Sequence, residues 1–219
     1  MANATPPTSV RLLTSAEWAI VERVYTSARL PMRQRVFITN GAGADGRPFT
    51  IPTSLLTAAA PAAFFAAVTK NPLLTAVAAV AGAGIGTLLS FTNLGYIMSV
   101  GPTFYADLTA TDRANQHKDA QALLVHETGH VWQGKNSVLA LTYVWSSVIS
   151  QCRGALSGGT TSAAYKYTIG DSWKGMNPEQ QASLVEDWFW IDRESATEKS
   201  AGGSGRYEYI RDYVRKGVV

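Results

Sequence analysis

The sequence predicts an α+β protein, and three observations carry that expectation. Short β-branched runs bounded by turn residues occupy parts of the N-terminal half. Two histidines four residues apart, His126 and His130, sit in a helical stretch that follows the apolar run Leu123-Leu124-Val125. Beyond them, capped helical patterns continue to the C-terminus. The expected architecture is a small antiparallel or mixed sheet, a histidine-bearing helix and a helical C-terminal half, in a single domain over residues 1–219.

Bulk properties narrow the class. A chain of 219 residues can bury a sizeable core, and 46% hydrophobic content with six tryptophans excludes a disordered chain. The formal charge is +3, and no Lys/Arg run exceeds two residues, so no nucleic-acid partner is expected. Cys152 is the single cysteine, which rules out an intrachain disulfide and reads as a structural thiol. The N-terminus shows neither a basic region nor an apolar core of a signal peptide. The expectation is synthesis in the cytoplasm, with any export through a dedicated secretion or injection system.

Residues 1 to about 13 read as a flexible lead-in. Thr14-Ser15-Ala16-Glu17 is a capping-box pattern, followed by Trp18, Val21, Val24, Tyr25 and Ala28 at helical spacing, with a stop expected between Leu30 and Pro31. Arg35–Thr39 reads as a strand followed by the Asn40-Gly41 turn, and Phe49–Ile51 as a second short strand. Gly95–Val100 resumes a strand signal and ends at Gly101-Pro102. A helix is expected from near Asp119 to Gly134, and Val138–Ile149 reads as a further apolar helix before a flexible loop at 154–162. Asn177-Pro178-Glu179-Gln180 combines an N-cap, proline at the first helical position and glutamine at the third. Tyr207, Ile210, Tyr213 and Val214 read as a closing helix.

Residues 55–91 are the least ordinary segment. Lys70 is their one charge, and Asn71-Pro72 divides them into two apolar halves. Leu73–Phe91 is near the minimum length for a bilayer core, and Gly82 and Gly86 have the spacing that lets helices approach closely. Its many alanines and glycines make it only weakly hydrophobic, so an inserted helical hairpin, packed on the domain or in an oligomer, competes with membrane contact.

The chemistry concentrates at His126-Glu127-Thr128-Gly129-His130. Spacing of i and i+4 puts both imidazoles on one helix face, within reach of one ion, and Glu127 can direct a carboxylate at a metal-activated water. This is the H-E-x-x-H arrangement of zinc hydrolases, and catalytic zinc takes three protein ligands. His117 lies in a polar turn and reads as solvated, and Cys152 lacks a partner motif. Carboxylates are better placed: Glu179 lies in the first turn of a strongly capped helix, with Glu186 two turns along nearly the same face and Asp187 beside it. Ala182 is small enough to let that helix approach the histidine helix.

His126 to Gln133, taken with Asn177 to Phe189, resembles the zincin-like, gluzincin-type metallopeptidase domains found in bacterial polymorphic-toxin and contractile-injection-system loci. The resemblance implies a zincin-like fold with His126, His130 and Glu179 as zinc ligands and Glu127 as general base. It further implies hydrolysis of a protein or peptide substrate, and an edge strand that takes up substrate by strand addition. Tyr96, Ile97, Met98 and Ser99 are assigned to that strand. Tyr165 and Tyr167 are candidate oxyanion donors by position. Residues 55–91 depart from the family's compact pattern. They motivate two other readings: a membrane-active or pore-forming effector, and a non-catalytic interaction or cargo module that keeps the fold.

Overall fold

The computed structural model describes residues 9–40, 49–52, 95–100, 104, 108–109, 120–137, 165–192 and 205–219. The chain is mixed α+β and groups into two compact units, Met1–Thr14 with Met32–Leu108, and Ser15–Pro31 with Thr109–Val219. The 55–91 segment, the 138–149 helix, the 154–162 loop, His117 and Cys152 lie outside the described residues.

The first unit holds a four-stranded mixed sheet built from β1 (Val10–Leu12), β2 (Val36–Thr39), β3 (Phe49–Pro52) and β4 (Tyr96–Ser99), in the order β1-β2-β4-β3. β2 and β4 run parallel with Val36 opposite Tyr96 and Ile38 opposite Met98, while β1 and β3 pair antiparallel on the outside. The period of two explains the central pair: Val36, Ile38, Tyr96 and Met98 share the buried face, and Phe37 and Ile97 stand half-buried on the other. Gly95 admits β4 beside β2, because a Cβ there would run into the Arg35 carbonyl.

Two expectations are corrected here. The supposed lead-in contains β1, and its continuation is held where Arg33 donates from Nη1 to the Leu13 carbonyl at 2.8 Å. Val10 and Leu12 face outward while Arg11 is half-buried, so β1 lacks the apolar alternation that announces a strand. Tyr96–Ser99 is a strand as expected, but not an edge strand. Its ladder groups are shared with β2 on one side and β3 on the other, so strand addition to it would require displacing a neighbour.

The second unit is helical: α1 (Ser15–Tyr25), α2 (Ala120–Asn136), α3 (Pro178–Asp192) and α4 (Arg206–Asp212). α1 buries Ile20, Val21, Val24 and Tyr25, but stops short of Leu30. Thr26 takes φ 62°, a conformation costly for a β-branched residue, and a short 3-10 turn at Ser27–Arg29 follows. α2 packs against both α1 and α3, and its middle is buried all round, from Leu124 to Gly134. It runs two residues beyond the expected stop at Gly134, where Ser137 folds back to donate through its backbone N–H and its hydroxyl to the Gln133 carbonyl.

α3 begins as its sequence demands. Gln180 N–H donates to Asn177 Oδ1 at 3.0 Å, and Asn177 N–H donates to Gln180 Oε1 at 2.8 Å. This reciprocal capping box fixes the first turn that carries Glu179. Gly129 and Ala182 meet where α2 and α3 approach: a Cβ on Gly129 would lie 2.9 Å from the Tyr25 hydroxyl and 3.3 Å from Ala182 Cβ. Gly129→Val is therefore expected to destabilise the protein by about 1–3 kcal/mol through overpacking, outweighing its small gain in helix propensity. Chemical denaturation checks this, and an unchanged midpoint would refute the close approach.

The C-terminal end is fastened by indoles. Trp132 Nε1–H donates to the Val214 carbonyl at 3.0 Å and Trp173 Nε1–H to the Val218 carbonyl at 2.8 Å. Trp173 also stacks on Tyr213, with centroids 5.5 Å apart and planes 12° apart, and meets Trp132 edge-on. Trp173→Ala should cost about 3–5 kcal/mol, the usual range for removing a fully buried aromatic. Equilibrium unfolding in urea would show it as a lower midpoint.

No helix among the described residues is long and apolar enough to cross a membrane.

Candidate metal centre

α2 presents His126 and His130 one turn apart, their rings 5.2 Å between centroids and nearly perpendicular at 78°. α3 brings Glu179 to both. Its Oε2 lies 3.4 Å from His126 Nε2 and 3.4 Å from His130 Nε2. One ligand atom from each of the three residues falls within a 4.8 Å spread, and all three side chains are buried. The His126-His130-Glu179 group can hold a metal ion.

The far sides of the two rings are also engaged. Glu186, two turns along α3 from Glu179, sets Oε2 3.0 Å from His126 Nδ1. Gln133, one turn along α2 from His130, sets Oε1 2.9 Å from His130 Nδ1. Each Nδ1 is therefore turned to an oxygen acceptor, and each Nε2 toward Glu179. Metal-ligating histidines characteristically hold their second nitrogen this way, which fixes ring orientation and raises ligand basicity.

Electrostatics favour positive charge in this pocket. Burial works against a charged His126, but hydrogen bonds to Glu179 and Glu186 and the charges of Glu186 and Glu127 outweigh it, pushing the ring up to about 10. His130 is raised as well: burial opposes the shift, and Glu179 and Glu127 overcome it. Burial alone would raise the Glu179 carboxyl, yet the His130 charge and the hydrogen bonds from both rings hold it well below the usual carboxylate range. Glu127, Glu179 and Glu186 are all buried, so a charge-compensating cation suits the cluster.

Tyr25 lies against the histidine helix. Its hydroxyl donates to the Val125 carbonyl at 2.8 Å, and burial, with the Glu186 and Glu127 charges adding to it, holds its pKa well above the ordinary value. The hydroxyl therefore remains a donor at neutral pH. Of the two tyrosines considered as oxyanion donors, Tyr167 has its hydroxyl committed to Asp187 at 2.5 Å while it accepts from Arg206 Nε at 2.7 Å. The Tyr165 ring instead lies 6.1 Å from the His126 ring and is partly exposed.

No protein-family model, curated protein or solved structure matches the chain.

The centre thus rests on the chain's own geometry. Of the residues singled out in the sequence, His126, His130 and Glu179 converge, and Glu127 lies buried on the same turn of α2. Tyr96, Ile97, Met98 and Ser99 belong to the sheet of the first unit. Glu186 entered the sequence reading only as one of the carboxylates near Glu179, and its contact is with Nδ1 of a ring whose Nε2 faces Glu179. Gln133 and Tyr25 carried no assigned role. For Gln133 the available signal was its i+3 distance from His130, which puts the two side chains on one face.

Proposed function

We propose that this chain is a zinc-dependent metallopeptidase with a zincin-like fold, in which Glu127 is the general base. The observation that carries the reading is the buried convergence of His126 Nε2, His130 Nε2 and Glu179 Oε2, with Glu127 beside the first ligand on α2. A tetrahedral ion with bonds of ~2.0–2.1 Å places its ligand atoms about 3.4 Å apart. The two nitrogen–oxygen separations of 3.4 Å fit that spacing, whereas the group as a whole spreads over up to 4.8 Å, so the two rings would draw together on an ion. Two imidazoles and one carboxylate also form the ligand set of catalytic rather than structural zinc sites, because they leave a position open.

A zinc ion in such a set activates water and polarises a carbonyl oxygen. The chain's own residues supply the proton transfers and the alignment. Glu127 takes a proton from water as the oxygen–carbon bond forms at the scissile carbonyl, then delivers it to the amide nitrogen as the carbon–nitrogen bond breaks. Glu186 and Gln133 hold the two rings, and Glu179 joins α3 to the site. A protein or peptide substrate and delivery as a bacterial effector are the setting that the resemblance implies. The test is incubation of the zinc-loaded protein with a denatured protein mixture, with and without chelator, followed by mass spectrometry of new chain termini. Chelator-sensitive new termini are expected; their absence from a fully zinc-loaded sample would refute the peptidase reading.

A further inference from the structure

Gln133 is buried on every side, and its amide makes three hydrogen bonds. Nε2 donates to the Pro178 carbonyl at 2.9 Å and to Gln181 Oε1 at 3.0 Å. Gln181, also buried, donates from its own Nε2 to the Trp173 carbonyl at 3.1 Å. Peptide carbonyls can only accept, so Pro178 and Trp173 fix the direction of both amides from the far end. The oxygen of Gln133 must then face His130 Nδ1, 2.9 Å away, and that nitrogen must carry the hydrogen. The lone pair of a neutral ring is left on Nε2, which faces Glu179.

The same amide also reaches the backbone next to the third candidate ligand. Pro178 immediately precedes Glu179, so Gln133 contacts the ring of one ligand and the peptide adjoining another, across α2 and α3. A leucine would fill the volume but offer neither the acceptor nor the donors. A glutamate would keep the acceptor and lose both donors.

We propose that Gln133 and Gln181 form a two-amide relay, anchored on the Trp173 and Pro178 carbonyls, that positions His130 for metal binding by holding it in the Nδ1–H form. The inference rests on the reading of His126, His130 and Glu179 as metal ligands. Gln133 and Gln181 are positioning residues: they act on the metal through His130 and through the approach of α3.

The test compares the wild type with Gln133→Leu, Gln133→Glu and Gln181→Leu. Zinc dissociation constants are read by competition with a chromophoric chelator. Imidazole nitrogen–proton correlations are read on the zinc-loaded protein, and on the zinc-free protein at a pH where the ring is neutral. The wild type should show a protected Nδ1–H on His130. Gln133→Leu should lose that protection and bind zinc about 10–100-fold more weakly, the usual penalty for removing such a partner. Gln133→Glu should retain the Nδ1–H signal, because a carboxylate accepts the same hydrogen, and this separates orientation of the ring from a general loss of packing. Gln181→Leu should weaken zinc binding less than Gln133→Leu, since Gln133 keeps its bond to Pro178. Unchanged zinc affinity in Gln133→Leu, or a wild-type His130 with its hydrogen on Nε2, would overturn the proposal. A wild type that takes up no zinc would overturn the metal reading instead, while the zinc-free spectra still decide the tautomer.

Discussion

The purified protein, loaded with zinc and freed of excess, is expected to carry one ion per chain, and His126→Ala is expected to carry none. The reason lies in how few ligands the site offers. Three donor atoms converge in a buried pocket, and removing one leaves two, too few to offset the cost of stripping water from the ion. Glu179→Ala should behave the same way, although Glu179 stands 49 residues beyond His130 in the chain. Loading should also stabilise the fold. At a free zinc concentration of a thousand times its dissociation constant, binding to the folded state alone adds about 4 kcal/mol. For a chain of this size that is a rise in melting temperature of roughly 8–16 °C. Elemental analysis gives the stoichiometry and calorimetry gives the shift. Full zinc retention by both His126→Ala and Glu179→Ala would remove these residues from the site.

The legible parts of the protein were those written in short local patterns. The α3 start is an example: Asn177, Pro178 and Gln180 each have one strong positional preference, and the reciprocal bonds appear as those preferences require. The histidine pair was legible because helical periodicity alone sets His126 and His130 side by side. Ala182 was legible as a point of close approach, although its partner Gly129 was not singled out.

What was not legible depended on long-range or unusual choices. The place of Tyr96–Ser99 in the sheet is one case, since alternation specifies a strand and the faces it presents but not its neighbours. The early end of α1 is another, because a positive φ is announced by glycine or asparagine and here falls on Thr26. At the candidate metal centre, sequence spacing pointed to Glu179 and Glu186 together. Only the crossing of α3 over α2 distributes them, one toward both Nε2 atoms and the other to a single Nδ1. The distinction between a ligand and the group that orients a ligand is one of a few ångströms, finer than any periodicity resolves.

Glu127→Gln separates the metal from the chemistry. The substitution conserves shape and removes one negative charge and the ability to take a proton. Because His126, His130 and Glu179 are the proposed ligands, zinc stoichiometry should be unchanged. Hydrolysis should fall by about 10²–10⁴-fold, the contribution of a positioned general base. The loss should appear in kcat rather than in KM, since the proton transfer belongs to the transition state and not to substrate binding. New termini counted from a denatured proteome, with zinc measured on the same samples, give both quantities at once. Equal cleavage by wild type and variant would eliminate Glu127 as the base even if the ion is held as proposed. Loss of zinc from the variant would mean instead that Glu127 contributes to the cation site. Its charge already raises the pKa of both histidine rings, so this second outcome has a physical route. A wild type that holds zinc and generates no termini would leave a metal-binding interaction module, in which the buried carboxylates serve the fold and the ion alone.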